Sequence, residues 1–114
     1  MATYNFNDHK KGDTFPGVTF TVTVNASPLN LTNATIKMAV KTSKTVGTTA
    51  VKLFTSTSNN FTILDATEGI FKFNSQIISI PAGTYFYDIQ IVLADGTVKT
   101  YIEGTWKILQ DITD

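Results

Sequence analysis

Residues 81–108 read PAGTYFYDIQIVLADGTVKTYIEGTWKI, two runs in which bulky residues alternate with small or polar ones, joined at Ala94-Asp95-Gly96-Thr97. Period-two alternation marks a strand with one buried face. Asp95-Gly96 suits a two-residue loop, because glycine accepts the positive φ of a type I′ turn without steric cost. Closing the turn there fixes a register by counting outwards. Leu93 then faces Val98, Ile91 faces Thr100 and Ile89 faces Ile102 on the apolar side, while Tyr87 covers Gly104 and Tyr85 meets Trp106. A slip of one residue would carry Asp88, Gln90 and Lys99 into the core, a cost that specifies the pairing. On the outward side Phe86 lies by Thr105, Asp88 by Glu103, Gln90 by Tyr101 and Val92 by Lys99.

The rest of the chain repeats this rhythm. In GVTFTVTV, Val18, Phe20, Val22 and Val24 alternate with threonines, and in ATIKMAVKT, Ala34, Ile36, Met38 and Val40 share a face opposite Thr35, Lys37 and Lys41. The intervening NASPLNLTN reads as a connection, too polar for a core element. The Ser/Thr-rich stretch 42–58 holds one short apolar piece, Val51 to Phe54, which suits an edge strand between loops. FTIL, GIFKF and IISI are further short strands, separated by Asp65, Gly69 and Asn74. Strands at intervals of about 8 to 12 residues, with almost no helical periodicity, predict an all-β sandwich.

At 114 residues the chain fits one domain, spanning 1–114. It has no cysteine, so neither a disulfide nor a thiolate metal site is available. Formal charge is zero and every cationic side chain is a lysine, which argues against a nucleic-acid partner, since bidentate phosphate and base contacts rely chiefly on arginine. No segment has the signal-peptide pattern or the roughly 20 apolar residues of a membrane span, so a protein made in a cytoplasm, with no membrane partner, is expected.

Little in the chain points to catalysis. Asp88 and Glu103 are the nearest approach to a carboxylate dyad, but they are expected on an open sheet face, where nothing separates their pKa values, as solvated neighbours with Lys99 or Lys107 close by; the alternative is a cation or a partner's lysine between them. His9, in NDHKKGD, reads as an exposed terminal residue without a nucleophile to activate or further zinc ligands. Asp8, Asp13, Asp65 and Glu68 lack the spacing of a calcium loop, and the scattered glycines form no phosphate cradle. No enzyme, cofactor or metal is expected. Trp106, Tyr85, Tyr87, Phe20 and Phe73 fall on the core phase. The outward Phe86, Asp88, Gln90, Tyr101 and Glu103 are the candidates for contact with a partner.

AGTYFYDI, residues 82–89, resembles the G-x-Y-x-C corner of immunoglobulin domains, with Tyr87 at the cysteine position. Together with KGDTFPGVTFTV, LTNATIKMAV and the C-terminal hairpin, the chain resembles the N-terminal immunoglobulin-like domain of phage baseplate upper proteins, from about Lys11 to Thr113. The resemblance implies an immunoglobulin-like antiparallel β-sandwich and a non-enzymatic virion component, made in the bacterial host and docked on other phage structural proteins in multiple copies. Because the sequence stops at Asp114, a free-standing baseplate, tail, neck or capsid decoration component is expected rather than an adaptor carrying a receptor-binding extension. The alternative is a carbohydrate-binding or host-adhesion module on the phage surface.

The register makes a direct prediction. Gly104→Val should clash with the Tyr87 ring and cost about 1 to 3 kcal/mol by overpacking, read as a lowered melting temperature; an unchanged one would refute the pairing.

Overall fold

A computed structural model describes residues 2–45 and 47–110. Within them the chain is all-β, without helix: β1 (Ala2–Thr3), β2 (His9–Lys10), β3 (Thr14–Phe15), β4 (Val18–Thr21), β5 (Thr23–Val24), β6 (Ser27–Pro28), β7 (Thr35–Lys41), β8 (Lys52–Thr55), β9 (Phe61–Asp65), β10 (Ile70–Phe73), β11 (Gln76–Ile77), β12 (Gly83–Val92) and β13 (Val98–Leu109). The large sheet runs β1-β13-β12-β7-β8, with β2 also on β13; a three-stranded sheet runs β4-β10-β9, and two short ribbons pair β3 with β11 and β5 with β6. Asp111 to Thr113, the end of the expected family resemblance, lies outside the described residues.

The core sits between the two larger sheets and is built largely from rings. Trp106, from the large sheet, lies 6.1 Å from Phe73 of the small one, and Phe54 lies 5.0 Å from Phe73. Ile36, Met38 and Val40 of β7 and Ile89 and Ile91 of β12 are fully buried, as their alternation requires. The Trp106 Nε1–H is buried without a hydrogen-bond partner among these rings. The edge strand expected at Val51 to Phe54 is β8, at one margin of the large sheet. The connection 25–33 is less peripheral than its polarity suggested. Asn25 and Ala26 both have positive φ and turn β5 into β6, and Leu31 ends completely buried.

The central hairpin keeps the expected register where it is deepest and departs from it near the tip. Tyr85 pairs with Trp106, Phe86 with Thr105, Tyr87 with Gly104, Asp88 with Glu103 and Ile89 with Ile102. Beyond a bulge after Ile89, Gln90 pairs with Thr100, Ile91 with Lys99 and Val92 with Val98. The loop therefore has three residues rather than two. The Gly96 N–H donates to the Leu93 carbonyl, the Leu93 N–H donates to the Thr97 carbonyl, and only Gly96 takes a positive φ, 90°. This is a turn followed by a left-handed residue, the usual three-residue hairpin. Asp95 Oδ1 accepts the Thr97 N–H at 2.9 Å, which holds the Asp95 carboxyl below its ordinary range. The extra loop residue shifts the pairing by one; Tyr101, left unpaired at the bulge, shifts it back. Val98, expected to share an apolar face with Leu93, is consequently more than half exposed.

The N-terminal segment is the largest departure from the sequence reading. It runs parallel to β13 along that strand's outer edge: Ala2 pairs with Ile102 and Thr3 with Glu103, the N–H groups of Tyr4 and Phe6 donate to the Glu103 and Thr105 carbonyls, and His9 pairs with Ile108. Phe6 inserts into the core, stacked 4.7 Å from Tyr87 and tilted against Trp106 at 4.8 Å. His9 is therefore a half-buried strand residue with Nε2 3.0 Å from the Asp13 carbonyl, not an exposed terminal side chain. Gly104 makes the close approach possible. A Cβ there would collide with the Tyr4 carbonyl oxygen and stand 3.0 Å from the Tyr87 ring, so the stricter clash is with backbone rather than with the expected ring.

The Tyr87 hydroxyl donates to that same Tyr4 carbonyl, linking β12 to the arm across β13. Burial, and then the neighbouring Tyr4 phenol, push the Tyr87 phenol well above its ordinary value. In the unfolded chain Tyr87 ionises near its ordinary pKa of about 10, while in the folded chain it stays neutral, so its stabilisation is complete below about pH 10 and is lost as pH rises above that. Tyr87→Phe should cost on the order of 1 kcal/mol at neutral pH. In urea melts the gap between wild type and variant should narrow above about pH 10; a gap independent of pH would show that the phenol ionises alike in both states.

Candidate functional site

The outward face of the large sheet follows from the same alternation that fills the core. Phe86, Asp88 and Gln90 of β12 point away from the buried Tyr85, Tyr87, Ile89 and Ile91. Across the ladder Phe86 pairs with Lys41, Asp88 with Ala39 and Gln90 with Lys37, and Ala39 pairs in turn with Leu53. Ala39 is the small residue in this row. Over it lies a trough of about 260 Å³, walled by Phe86, Asp88, Glu103, Lys41 and Lys44.

The opposed carboxylates of Asp88 and Glu103 are compensated from an unexpected direction. Lys44, in the loop between β7 and β8, reaches over the sheet to place Nζ 4.0 Å from Glu103 Oε1 and 5.4 Å from the centre of the Phe86 ring. Neither Lys99 nor Lys107, the expected neighbours, makes this contact; Lys99 instead sets its ammonium 5.7 Å from the Tyr101 ring. The Lys44 side chain is more than two-thirds exposed, so the ion pair is screened and holds the loop weakly. Nothing in the Ser/Thr-rich sequence around Lys44 marks it for this position, because a loop's direction is set by the sheet it leaves.

Of the candidate contact residues, Phe86, Asp88 and Glu103 come together at the trough, and Gln90 lies on the same face beside Lys37 and Thr100. Tyr101 does not join them. The bulge gives its place beside Gln90 to Thr100, and Tyr101 lines a separate recess at the margin of the sheet. Among the described residues no group of three or more His, Cys, Asp or Glu side chains could hold a metal ion, and no helix is long and apolar enough to cross a membrane. The trough joins an aromatic wall and an apolar floor to two carboxylates and two ammonium groups. That is the composition of a polar contact surface.

The family model of the BppU N-terminal domain matches residues 10–82, which include β7, the Lys44 loop and β8. The chain belongs to this family. BppU is the phage baseplate upper protein, so the chain is a phage structural domain and its family resides in the virion. The match ends just before β12, so the hairpin that carries Phe86, Asp88 and Glu103 lies beyond it. No curated protein matches the chain.

Removing one of the opposed carboxylates tests how the face is balanced. Asp88→Asn should leave stability unchanged or raise it by about 0.5 kcal/mol at low salt, with the difference fading as salt is added. A loss larger than about 1 kcal/mol in thermal melts would assign Asp88 a structural bond that the geometry does not contain.

Proposed function

We propose that the chain is a non-enzymatic structural protein of a tailed-phage virion, a single immunoglobulin-like sandwich that docks on neighbouring virion proteins. Membership of the baseplate upper protein family carries this reading. The strand order supports the fold assignment. β8-β7-β12-β13 corresponds in chain order to strands C′, C, F and G of an immunoglobulin domain, and β4-β10-β9 to strands B, E and D. The Tyr85 hydroxyl donates to the Pro81 carbonyl four residues upstream, as in a tyrosine corner. Where those domains join strands B and F by a disulfide, Phe6 stands between Phe20 and Tyr87, at 6.3 and 4.7 Å from their rings.

Docking is assigned to the outward face around Phe86, Asp88, Gln90 and Glu103, extended by the exposed Leu53 of β8. The occupant is a neighbouring virion protein, present in many copies, and the β8 margin offers it free backbone groups. A face of mixed charge beside a half-exposed ring fits a contact that sheds water around Phe86 and keeps its charges at the rim.

Mass spectrometry of purified virions should find the protein at fixed stoichiometry. A Phe86→Ala, Leu53→Ser double variant supplied in trans should fold with a melting temperature near wild type, since both side chains lie outside the core, yet fail to enter particles. Absence of the wild-type protein from virions would defeat the assignment, and normal incorporation of the double variant would defeat the assigned face.

A further inference from the structure

The recess lined by Tyr101 is the larger of the two depressions, about 480 Å³ against about 260 Å³ for the trough, and it lies off the proposed docking face. It opens because three pieces of chain diverge there. One wall is β1, another is β13 at the bulge that displaces Tyr101, and the third is β4 and β5 up to the positive-φ turn at Asn25 and Ala26. Bulges of this kind often re-aim side chains at functional sites.

The chemistry of the lining is one-sided. Thr3, Thr21, Thr23 and Thr100 contribute hydroxyls, Tyr4 and Tyr101 phenol rings, Asn25 an amide and Lys99 the single charge; no carboxylate lines the recess. None of these side chains makes a hydrogen bond to another described residue. Some polar side chains elsewhere are tied to one another, as Ser43 to Thr45, Thr55 to Thr57 and Asn74 to Thr62, whereas those of the recess are all open to a ligand. Tyr4 is 39% exposed, and Lys99 holds its ammonium beside the Tyr101 ring.

From this we infer that the recess is a binding site for an anionic saccharide unit. A pyranose has an apolar C–H face that packs on an aromatic ring and a rim of hydroxyls that both donate and accept, which is what phenols, threonine hydroxyls and an asparagine amide match. Lys99, with no carboxylate near it in the lining, selects a uronate or a phosphorylated sugar over a neutral or cationic one. The volume falls within the roughly 300 to 1,000 Å³ of small-molecule sites. An acidic protein side chain would satisfy Lys99 but would leave the ring of hydroxyls unused. The inference goes beyond the docking role and does not depend on it.

The test is an amide-shift titration of the full chain with methyl glucuronide, methyl glucoside, inorganic phosphate and acetyl-aspartate amide. Methyl glucuronide should give saturable shifts at Asn25 and at Lys99 to Tyr101, with the glucoside weaker. Lys99→Met should weaken glucuronide binding about tenfold, the size of one charge-assisted hydrogen bond. Asn25→Gly keeps the positive φ while removing the amide, and it should weaken both sugars. The inference is overturned if no sugar gives saturable shifts, if the glucoside binds as well as the glucuronide, or if acetyl-aspartate amide binds more tightly than either. Phosphate reproducing the glucuronide shifts, with Asn25→Gly having no effect, would overturn it in favour of a bare anion site. None of these results bears on whether the protein enters virions.

Discussion

Everything in this domain leans on a packed group of rings between two sheets. Trp106 and Phe73 face each other across the layers, with Phe6, Phe15, Phe54 and Phe61 around them. Edge-to-face and tilted ring contacts resist shape change more than aliphatic packing does, because each ring has few rotamers and a preferred angle to its neighbour. Burial of this kind stabilises a small sandwich that has no disulfide, and among the described residues the interior's polar atoms belong to its rings, the Tyr85 and Tyr87 hydroxyls and the Trp106 N–H. Specificity comes instead from backbone register, which is why one glycine and one bulge carry so much of the outcome.

The sequence made the inner half of the hairpin legible because the penalty for a slip is large there. Tyr85 opposite Trp106 and Tyr87 opposite Gly104 admit no alternative that keeps Asp88 out of the core. Near the tip that penalty vanishes. Asp95-Gly96 serves a two-residue or a three-residue loop equally well, and the choice moves Val98 between half-exposed surroundings at small cost. Expectation and structure agree again at Ile102 only because the longer loop and the bulge at Tyr101 cancel. The arm was illegible for a different reason. Parallel pairing to a strand about 100 positions away leaves no local period, and Phe6 is a lone ring in a polar run.

The candidate face shows the same division. Phe86, Asp88 and Glu103 were placed by counting along a well-specified ladder, and they do meet. Tyr101 was placed by the part of the count that fails. Lys44 was beyond reach, since its position depends on where a loop crosses the finished sheet. The two depressions thus divide by origin: the trough follows from strand alternation, while the recess arises from irregularities that periodicity does not encode.

The arm along β13 also limits how copies can join. A sheet bare on both flanks can gain a strand at either side, so a chain of molecules can lengthen without end. Here the arm lies along one flank between Ile102 and Leu109 and becomes that margin itself, as two short pieces, β1 and β2, in place of the long β13. Margins of two residues offer an incoming strand far less continuous pairing than the twelve residues of β13 would, so the arm blunts that flank against unwanted strand addition.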